Sequence, residues 1–145
     1  PEDEAKGLLF RGWQLPGDTA VWDKDGFITI QGRTDDMIIT GAENVHPAVV
    51  EDALKEHPAV IDTFVTGAPS KEWGETIVAY VALKDPKVTE KDLDEFCKKH
   101  PRLARYQRPK YYKFVEAKEL PFNPSGKKLH YVIKERAKKD FPNLA

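Results

Sequence analysis

Three short segments carry residue types at spacings that could do chemistry. In Leu120-Pro121-Phe122-Asn123-Pro124-Ser125-Gly126-Lys127, two prolines and a glycine hold a loop with a lysine at its end. A lysine fixed there is a compact point charge able to reach an anionic oxygen; the alternative is an ordinary surface lysine. In Gly32-Arg33-Thr34-Asp35-Asp36, a glycine, a cation and two acids meet at a junction, which is also the make-up of a plain turn. In Thr40-Gly41-Ala42-Glu43-Asn44-Val45-His46-Pro47, Gly41 lets the backbone approach a ligand or bend sharply. The competing reading there is a helix entry, with Asn44 or His46 near the cap.

The elements that must position these segments follow from periodicity and turn chemistry. Val21-Trp22 and Phe27-Ile28-Thr29-Ile30 flank Asp23-Lys24-Asp25-Gly26, a strand, turn, strand signature. Residues 1–34 are turn-rich, aromatic and too short to bury a core, so they are expected to end a larger neighbouring domain. Met37-Ile38-Ile39 reads as a short strand, and Pro47 opens a helix that Pro58 stops, with Val50, Ala53 and Leu54 at helical spacing. Val60–Val65 and Thr76–Leu83 read as strands. Thr89 and Asp92 resemble a capping box ahead of a helix that turns Leu93, Phe96 and Cys97 inward. Tyr111–Val115 reads as a third strand. A last helix is expected from near Ser125, with Leu129, Val132 and Ile133 on one face. The fold class is α+β: a small domain with a short hairpin and a three-stranded sheet packed by helices, preceded by the tail of a larger domain.

The chain of 145 residues is 40% hydrophobic and 32% charged, which excludes a disordered tail and fits one soluble domain with a fragment of another. No apolar run approaches the ~20 residues of a membrane helix. The acidic start, Pro1-Glu2-Asp3-Glu4, does not read as a secretory leader. Met37 is the sole methionine, so the chain is expected to be a piece of a longer polypeptide. The single Cys97 excludes an internal disulfide framework and a cysteine-built metal site, and the cytoplasm is the expected compartment. Residues 1–97 hold 9 Lys/Arg against 20 Asp/Glu, whereas residues 98–139 hold 14 against 3. A basic final third suits a polyanionic ligand such as a nucleotide, coenzyme A or nucleic acid, or is simply a solvated basic face.

In order and spacing, the three segments closely resemble the carboxy-terminal domain of the adenylate-forming enzymes: acyl-CoA synthetases, peptide-synthetase adenylation domains and luciferases. Gly32-Arg33-Thr34-Asp35-Asp36 with Gly41-Ala42-Glu43-Asn44-Val45-His46-Pro47 looks like the family's hinge and following loop. The segment ending at Lys127 looks like its carboxy-terminal lysine motif. Pro16-Gly17-Asp18, ahead of Asp23-Lys24-Asp25-Gly26-Phe27, is similar to the ribose-binding segment that ends the large domain. The resemblance runs from about Gly12 to Val132. It implies a lid domain, residues 35–145, hinged at about Asp35 on a large amino-terminal domain of the same polypeptide.

The implied reaction has two steps. A carboxylic acid and ATP give an acyl-adenylate and pyrophosphate, with Mg2+ accompanying the ATP, and coenzyme A then displaces AMP. The lid rotates between the steps, and the isolated fragment is expected to be inactive. By the resemblance, Lys127 is the catalytic lysine of adenylation. Asp18 and Arg33 bind the nucleotide ribose. Asp35 is the hinge, a turn cap being its alternative. Gly41 and Ala42 line the channel for the pantetheine arm, and Trp73 is a wall contact. Tyr106, Arg108 and Lys110, in Tyr106-Gln107-Arg108-Pro109-Lys110, form the coenzyme A nucleotide site, where an aromatic face can stack adenine and a guanidinium can pair with phosphate. Two departures stand out: Pro16 replaces a usual threonine, and His130-Tyr131 stand where two arginines are common.

Other readings remain at this level. An adenylation domain that loads a carrier protein is one; the basic Tyr106–Lys110 stretch suits coenzyme A phosphates better than a carrier surface. A non-catalytic binding module is another, although the basic third lacks the interleaved aromatics of nucleic-acid binders. No nucleic acid, no membrane span and no protein-held metal are expected.

Overall fold

The computed structural model of the chain describes residues 9–142 and 144. Strand β1 (Leu9–Phe10) pairs with β2 (Trp13–Gln14), and β3 (Asp18–Trp22) pairs antiparallel with β4 (Ile28–Arg33). The turn between β3 and β4 forms where the sequence asks for it. Asp23 Oδ1 accepts the amide hydrogens of Asp25 and Phe27, each at 2.9 Å. A register shift after Thr19 leaves Gln31 as a bulge, so that Thr19 faces Gly32 and Asp18 faces Arg33. This hairpin packs little of its own surface: Trp22 is 76% exposed, and Phe27, Ile28 and Ile30 are also exposed.

Strands β5 (Ile38–Thr40) and β6 (Glu43–Val45) form a second hairpin around Gly41 and Ala42. Strand β6 was not expected from the sequence, because Glu and Asn are weak strand formers. Helix α1 (Pro47–Lys55) follows, then β7 (Val60–Ser70), β8 (Gly74–Leu83), α2 (Glu90–Lys99), a short 3₁₀ turn (Arg105–Gln107) and β9 (Tyr111–Phe114). A second 3₁₀ turn (Ala117–Glu119) leads to helix α3 (His130–Asp140). The expected three-stranded sheet is β7, β8 and β9, with β9 parallel to β8. Hairpin β5–β6 widens it to five strands, four of them in the order β6-β5-β8-β7 with β9 paired to β8 off that path, and the hairpin joins β8 through the single pair Thr40 and Gly74.

The apolar run of β8 is continuous because both of its faces are covered. Successive side chains alternate between faces, and the core divides accordingly. Ile77, Ala79 and Val81 pack with Val50 and Leu54 of α1 and Leu93 and Cys97 of α2. Val78, Tyr80 and Ala82 pack with Phe64 of β7 and Ile133 and Ala137 of α3. The capping box of α2 is present. Thr89 Oγ1 accepts the Asp92 amide hydrogen at 3.3 Å, and Asp92 Oδ2 accepts that of Thr89 at 2.8 Å.

Two details of the expected helices are corrected. Helix α3 starts at His130, not Ser125. The Asn123 carboxamide oxygen captures the amide hydrogens of Ser125 and Lys127 at 3.0 and 2.8 Å, which holds that stretch in a turn. In consequence Ile133 and Ala137 form the buried face, and Val132 is exposed. Phe96 is half-buried, with its ring edge-on to His57 at 5.0 Å, rather than inside with Leu93 and Cys97. Among the described residues, no helix is long and apolar enough to cross a membrane.

Candidate functional site

Among the described residues, two clefts have no lining residue in common. The larger, of about 970 Å³, brings together Gly41 and Ala42 from the β5–β6 turn, Trp73 from the β7–β8 turn, and Tyr106, Arg108 and Lys110 from the approach to β9. These are the six residues that the sequence resemblance assigned to coenzyme A, drawn from three distant stretches of chain.

The turn chemistry explains how they meet. Gly41 has φ +61°, and a Cβ there would lie 3.2 Å from the Trp73 ring, so the indole sits directly on the glycine backbone. The Gly41 amide hydrogen is donated to the Trp73 carbonyl at 2.8 Å. The Lys110 ammonium lies 4.6 Å from the centre of the Trp73 ring, a cation–π contact. Arg108 adds an unspent group, since its Nε is buried and makes no hydrogen bond. A buried donor without a partner is costly to leave unmade, and an anionic oxygen would satisfy it.

Sequence reasoning did not find the opposite wall of this cleft, which is α2. It contributes Glu90, Lys91, Asp94 and Lys98, with Arg105 beside them. The signal was there in the helical spacing of 90, 91, 94 and 98, a polar stripe flanking Leu93 and Cys97. Beneath the cleft, the buried Cys97 thiol accepts the Tyr112 hydroxyl hydrogen at 3.6 Å. Burial pushes the Cys97 thiol up, and burial together with Cys97 pushes the Tyr112 phenol well up. Both stay protonated near neutrality, so the cleft floor offers no thiolate nucleophile.

The smaller cleft, of about 220 Å³, is lined by Arg33, Lys127, Asp36, His130 and the start of α1. Arg33 and Lys127 therefore share it. Asp18 joins through Arg33, its cross-strand partner, whose Nη1 lies 3.5 Å from the Asp18 carboxylate and donates to the Pro16 carbonyl at 2.9 Å. Asp35 sits in the turn between β4 and β5, its carboxylate 3.5 Å from Arg33 Nη2. Lys127 is exposed, and its ammonium takes no ion pair among the described residues.

The adjacent Lys128 is its opposite. Its ammonium lies 2.9 Å from Glu51 and 3.0 Å from Asp62, donates to the Thr63 carbonyl, and sits 4.6 Å from the centre of the Phe64 ring. Glu51 is buried in α1 and also takes hydrogen bonds from the Val65 amide at 2.8 Å and from His130 Nε2 at 2.7 Å. Burial alone would raise the Glu51 carboxyl, but the His130 hydrogen bond and the Lys128 and His130 charges prevail and hold it below the ordinary carboxylate range. His130 reaches Asp36 on its other side, 3.7 Å away. This network fixes the base of the Lys127 loop. Sequence reasoning missed it, although a glutamate four residues after Pro47 on the apolar face of α1 was a usable signal.

The profile of the family described as "AMP-binding enzyme C-terminal domain" matches residues 49–127. The chain is 38% identical over 141 residues to 2-methylpropanoate–CoA ligase CCL4 of Humulus lupulus, covering 95% of this chain and 25% of that protein. It is 40% identical over 138 residues to the peroxisomal trans-cinnamate:CoA ligase of Petunia hybrida, covering 94% and 24%. Among solved structures, it is similar to o-succinylbenzoate CoA synthetase (MenE) from Bacillus subtilis in complex with the acyl-adenylate intermediate OSB-AMP. That match has a TM-score of 0.81 and 38% identity, over 89% of this chain and 26% of that one. The chain spans about a quarter of the length of the curated relatives it matches. With a family profile over more than half its length and relatives above 30% identity along nearly all of it, the chain belongs to the AMP-binding enzyme C-terminal domain family.

Proposed function

We propose that the chain is the carboxy-terminal lid of an AMP-forming acyl-CoA synthetase, hinged at Asp35 on a large amino-terminal domain of the same polypeptide. A carboxylate oxygen of the acid attacks the α-phosphorus of ATP and pyrophosphate leaves. The coenzyme A sulfur then attacks the acyl carbon and AMP leaves with the bond it held. Lys127 stabilises the oxygens that gain charge in the first step. A cation ~4 Å from such an oxygen is worth about 4 kcal/mol at an effective dielectric of ~20. Asp18 accepts from the ribose hydroxyls and Arg33 contacts the same sugar. In the second step Gly41, Ala42 and Trp73 border the pantetheine arm, while Tyr106, Arg108 and Lys110 hold the nucleotide end. Mg2+ accompanies the ATP phosphates, with no residue of this chain assigned to it. The single buried thiol suits a reducing compartment, and the cytoplasm is the proposed one.

The observation that carries this reading is the presence of two separate clefts. One gathers a free ammonium with Arg33. The other gathers five cations with an aromatic wall and an unpartnered buried guanidinium nitrogen. A lid that presents each cleft in turn to one large domain serves both steps with one set of substrates. The decisive experiment uses the intact polypeptide and a panel of carboxylic acids, with pyrophosphate release and thioester formation followed separately. Lys127→Ala is expected to slow pyrophosphate release by about 10²–10³ and to spare thioester formation from supplied acyl-adenylate. Equal loss of both steps, or of neither, would remove Lys127 from the role.

A further inference from the structure

Both main-chain polar groups of Lys127 end on one residue, Asn123. The Asn123 carboxamide oxygen accepts the Lys127 amide hydrogen at 2.8 Å, and the Asn123 amide hydrogen is donated to the Lys127 carbonyl at 2.9 Å. The same carboxamide oxygen accepts the Ser125 amide hydrogen at 3.0 Å and the Ser125 hydroxyl hydrogen at 2.7 Å. Main-chain N–H groups can only donate, so the atom turned into the loop is the carboxamide oxygen and not its nitrogen. The Asn123 carbonyl accepts the Gly126 amide hydrogen at 2.9 Å, and Gly126 makes the turn at φ +82°. The base of the loop closes without Asn123. There the Leu129 amide hydrogen is donated to the Pro121 carbonyl at 3.0 Å, Phe122 bridges Lys128, and the Phe122 ring meets Phe64 edge-on at 5.3 Å. The Asn123 side chain therefore orders the tip of the loop, where Lys127 sits, and not its attachment to the domain.

We propose that Asn123 is a positioning residue for acid activation: its carboxamide fixes the Lys127 backbone and so fixes where the exposed ammonium can reach. The inference rests on the role given to Lys127 above. Among the described residues, no ion pair aims the Lys127 ammonium, so the place where its backbone is held is what aims it. A four-carbon stem turns easily about its bonds, and a backbone free to drift carries the charge away from the oxygens it must meet. A misplacement of about 1 Å at a reacting centre can cost up to ~100-fold in rate. Asn123 touches no substrate in this scheme and acts only through Lys127. Losing the hydrogen bonds that its carboxamide accepts, each worth a few-fold, should slow acid activation about ten-fold. That is less than the loss of Lys127 itself, about 10²–10³.

The test is a double-mutant cycle in the intact polypeptide, with the acid of the panel that it activates fastest. Asn123→Ala should lower kcat for pyrophosphate release about ten-fold, leave the ATP KM little changed, and spare thioester formation from supplied acyl-adenylate. In a Lys127→Ala background the same substitution should cost nothing further, because the side chain it aims is gone. Hydrogen exchange in a peptide covering residues 121–129 should quicken in Asn123→Ala. Asn123→Ser keeps a neutral acceptor oxygen that makes the same kind of turn more weakly, and should fall between parent and Asn123→Ala in both rate and exchange. Should Asn123→Ala fail to fold, Asn123→Ser carries the same cycle. Unchanged pyrophosphate release or unchanged exchange in Asn123→Ala overturns the inference. So does an equal loss with Lys127 present and absent, or equal slowing of thioester formation, since either would mean general damage. In each of these outcomes Lys127→Ala still slows pyrophosphate release and the role of Lys127 stands. A Lys127→Ala variant as fast as the parent, or a polypeptide that activates none of the acids, overturns the proposed role of Lys127 and this inference with it.

Discussion

Adjacent lysines 127 and 128 show how much one position of register decides. Lys128 is consumed by Glu51, Asp62 and Thr63, whereas Lys127 stands clear of them. Replacing Glu51 by Gln keeps an acceptor for the Val65 amide but leaves Lys128 and His130 without the buried charge, and we expect a loss of about 3 kcal/mol at neutral pH. The pH dependence has a definite sign. A carboxyl held below its ordinary value of 4.5 contributes stability above that value, and the contribution disappears as pH falls through the lowered native value. Urea titrations of parent and variant should therefore differ at neutral pH and converge in acid. Arg108→Ala is expected to raise the coenzyme A KM while pyrophosphate release is unchanged, since the guanidinium lies only in the larger cleft; an unaltered KM would remove it from the site. The sequence made Lys127 legible because its loop chemistry is local. Glu51 was not legible, because its partners lie 14 to 79 residues away and only the fold brings them together.

The β5–β6 hairpin meets β8 through few strand pairs, and one side chain helps to hold it there. Strand β5 meets β8 through the single pair Thr40 and Gly74. Glu75 supplements that pair by accepting the Ile39 amide hydrogen at 2.8 Å, with Lys134 of α3 3.4 Å away. The carboxylate reaches this position across Gly67, where a Cβ would come within 2.7 Å of it. Gly67→Ala should therefore dislodge Glu75, lower stability by about 1–3 kcal/mol and speed hydrogen exchange at the Ile39 amide more than at Val78 in the sheet centre. Equal exchange at both sites would show that Glu75 does not fasten the hairpin. The central strands were legible from their β-branched runs, and the α2 cap from Thr89 and Asp92. Strand β6 and the late start of α3 were not. In both places side chains and turns set the backbone against the local propensity, through the pairing of Glu43–Val45 with β5 and the capture of Ser125 and Lys127 by Asn123.

Over the whole molecule, part of the basic final third gathers at one place. Lys98, Arg105, Arg108 and Lys110 from the basic third, joined by Lys91, border one cleft, while Glu90 and Asp94 moderate it. Raising the salt concentration should therefore increase the coenzyme A KM, because phosphate attraction at an open cleft is screened within about 10 Å at 0.1 M. Thioester formation at subsaturating coenzyme A across a salt series checks this, and a flat response would remove the electrostatic role. The exposed Trp22, Phe27, Ile28 and Ile30 of the β3–β4 hairpin fit a segment whose covering surface lies elsewhere in a longer polypeptide. The separation of the two clefts has a consequence for how such a protein can change. With no lining residue shared, the proposed function predicts that a library confined to Thr40–Glu43 and Arg105–Lys110 alters use of coenzyme A without touching acid activation, and that one confined to Arg33, Asp36 and the Lys127 loop does the reverse. Selection, natural or in the laboratory, can then tune one half-reaction at a time.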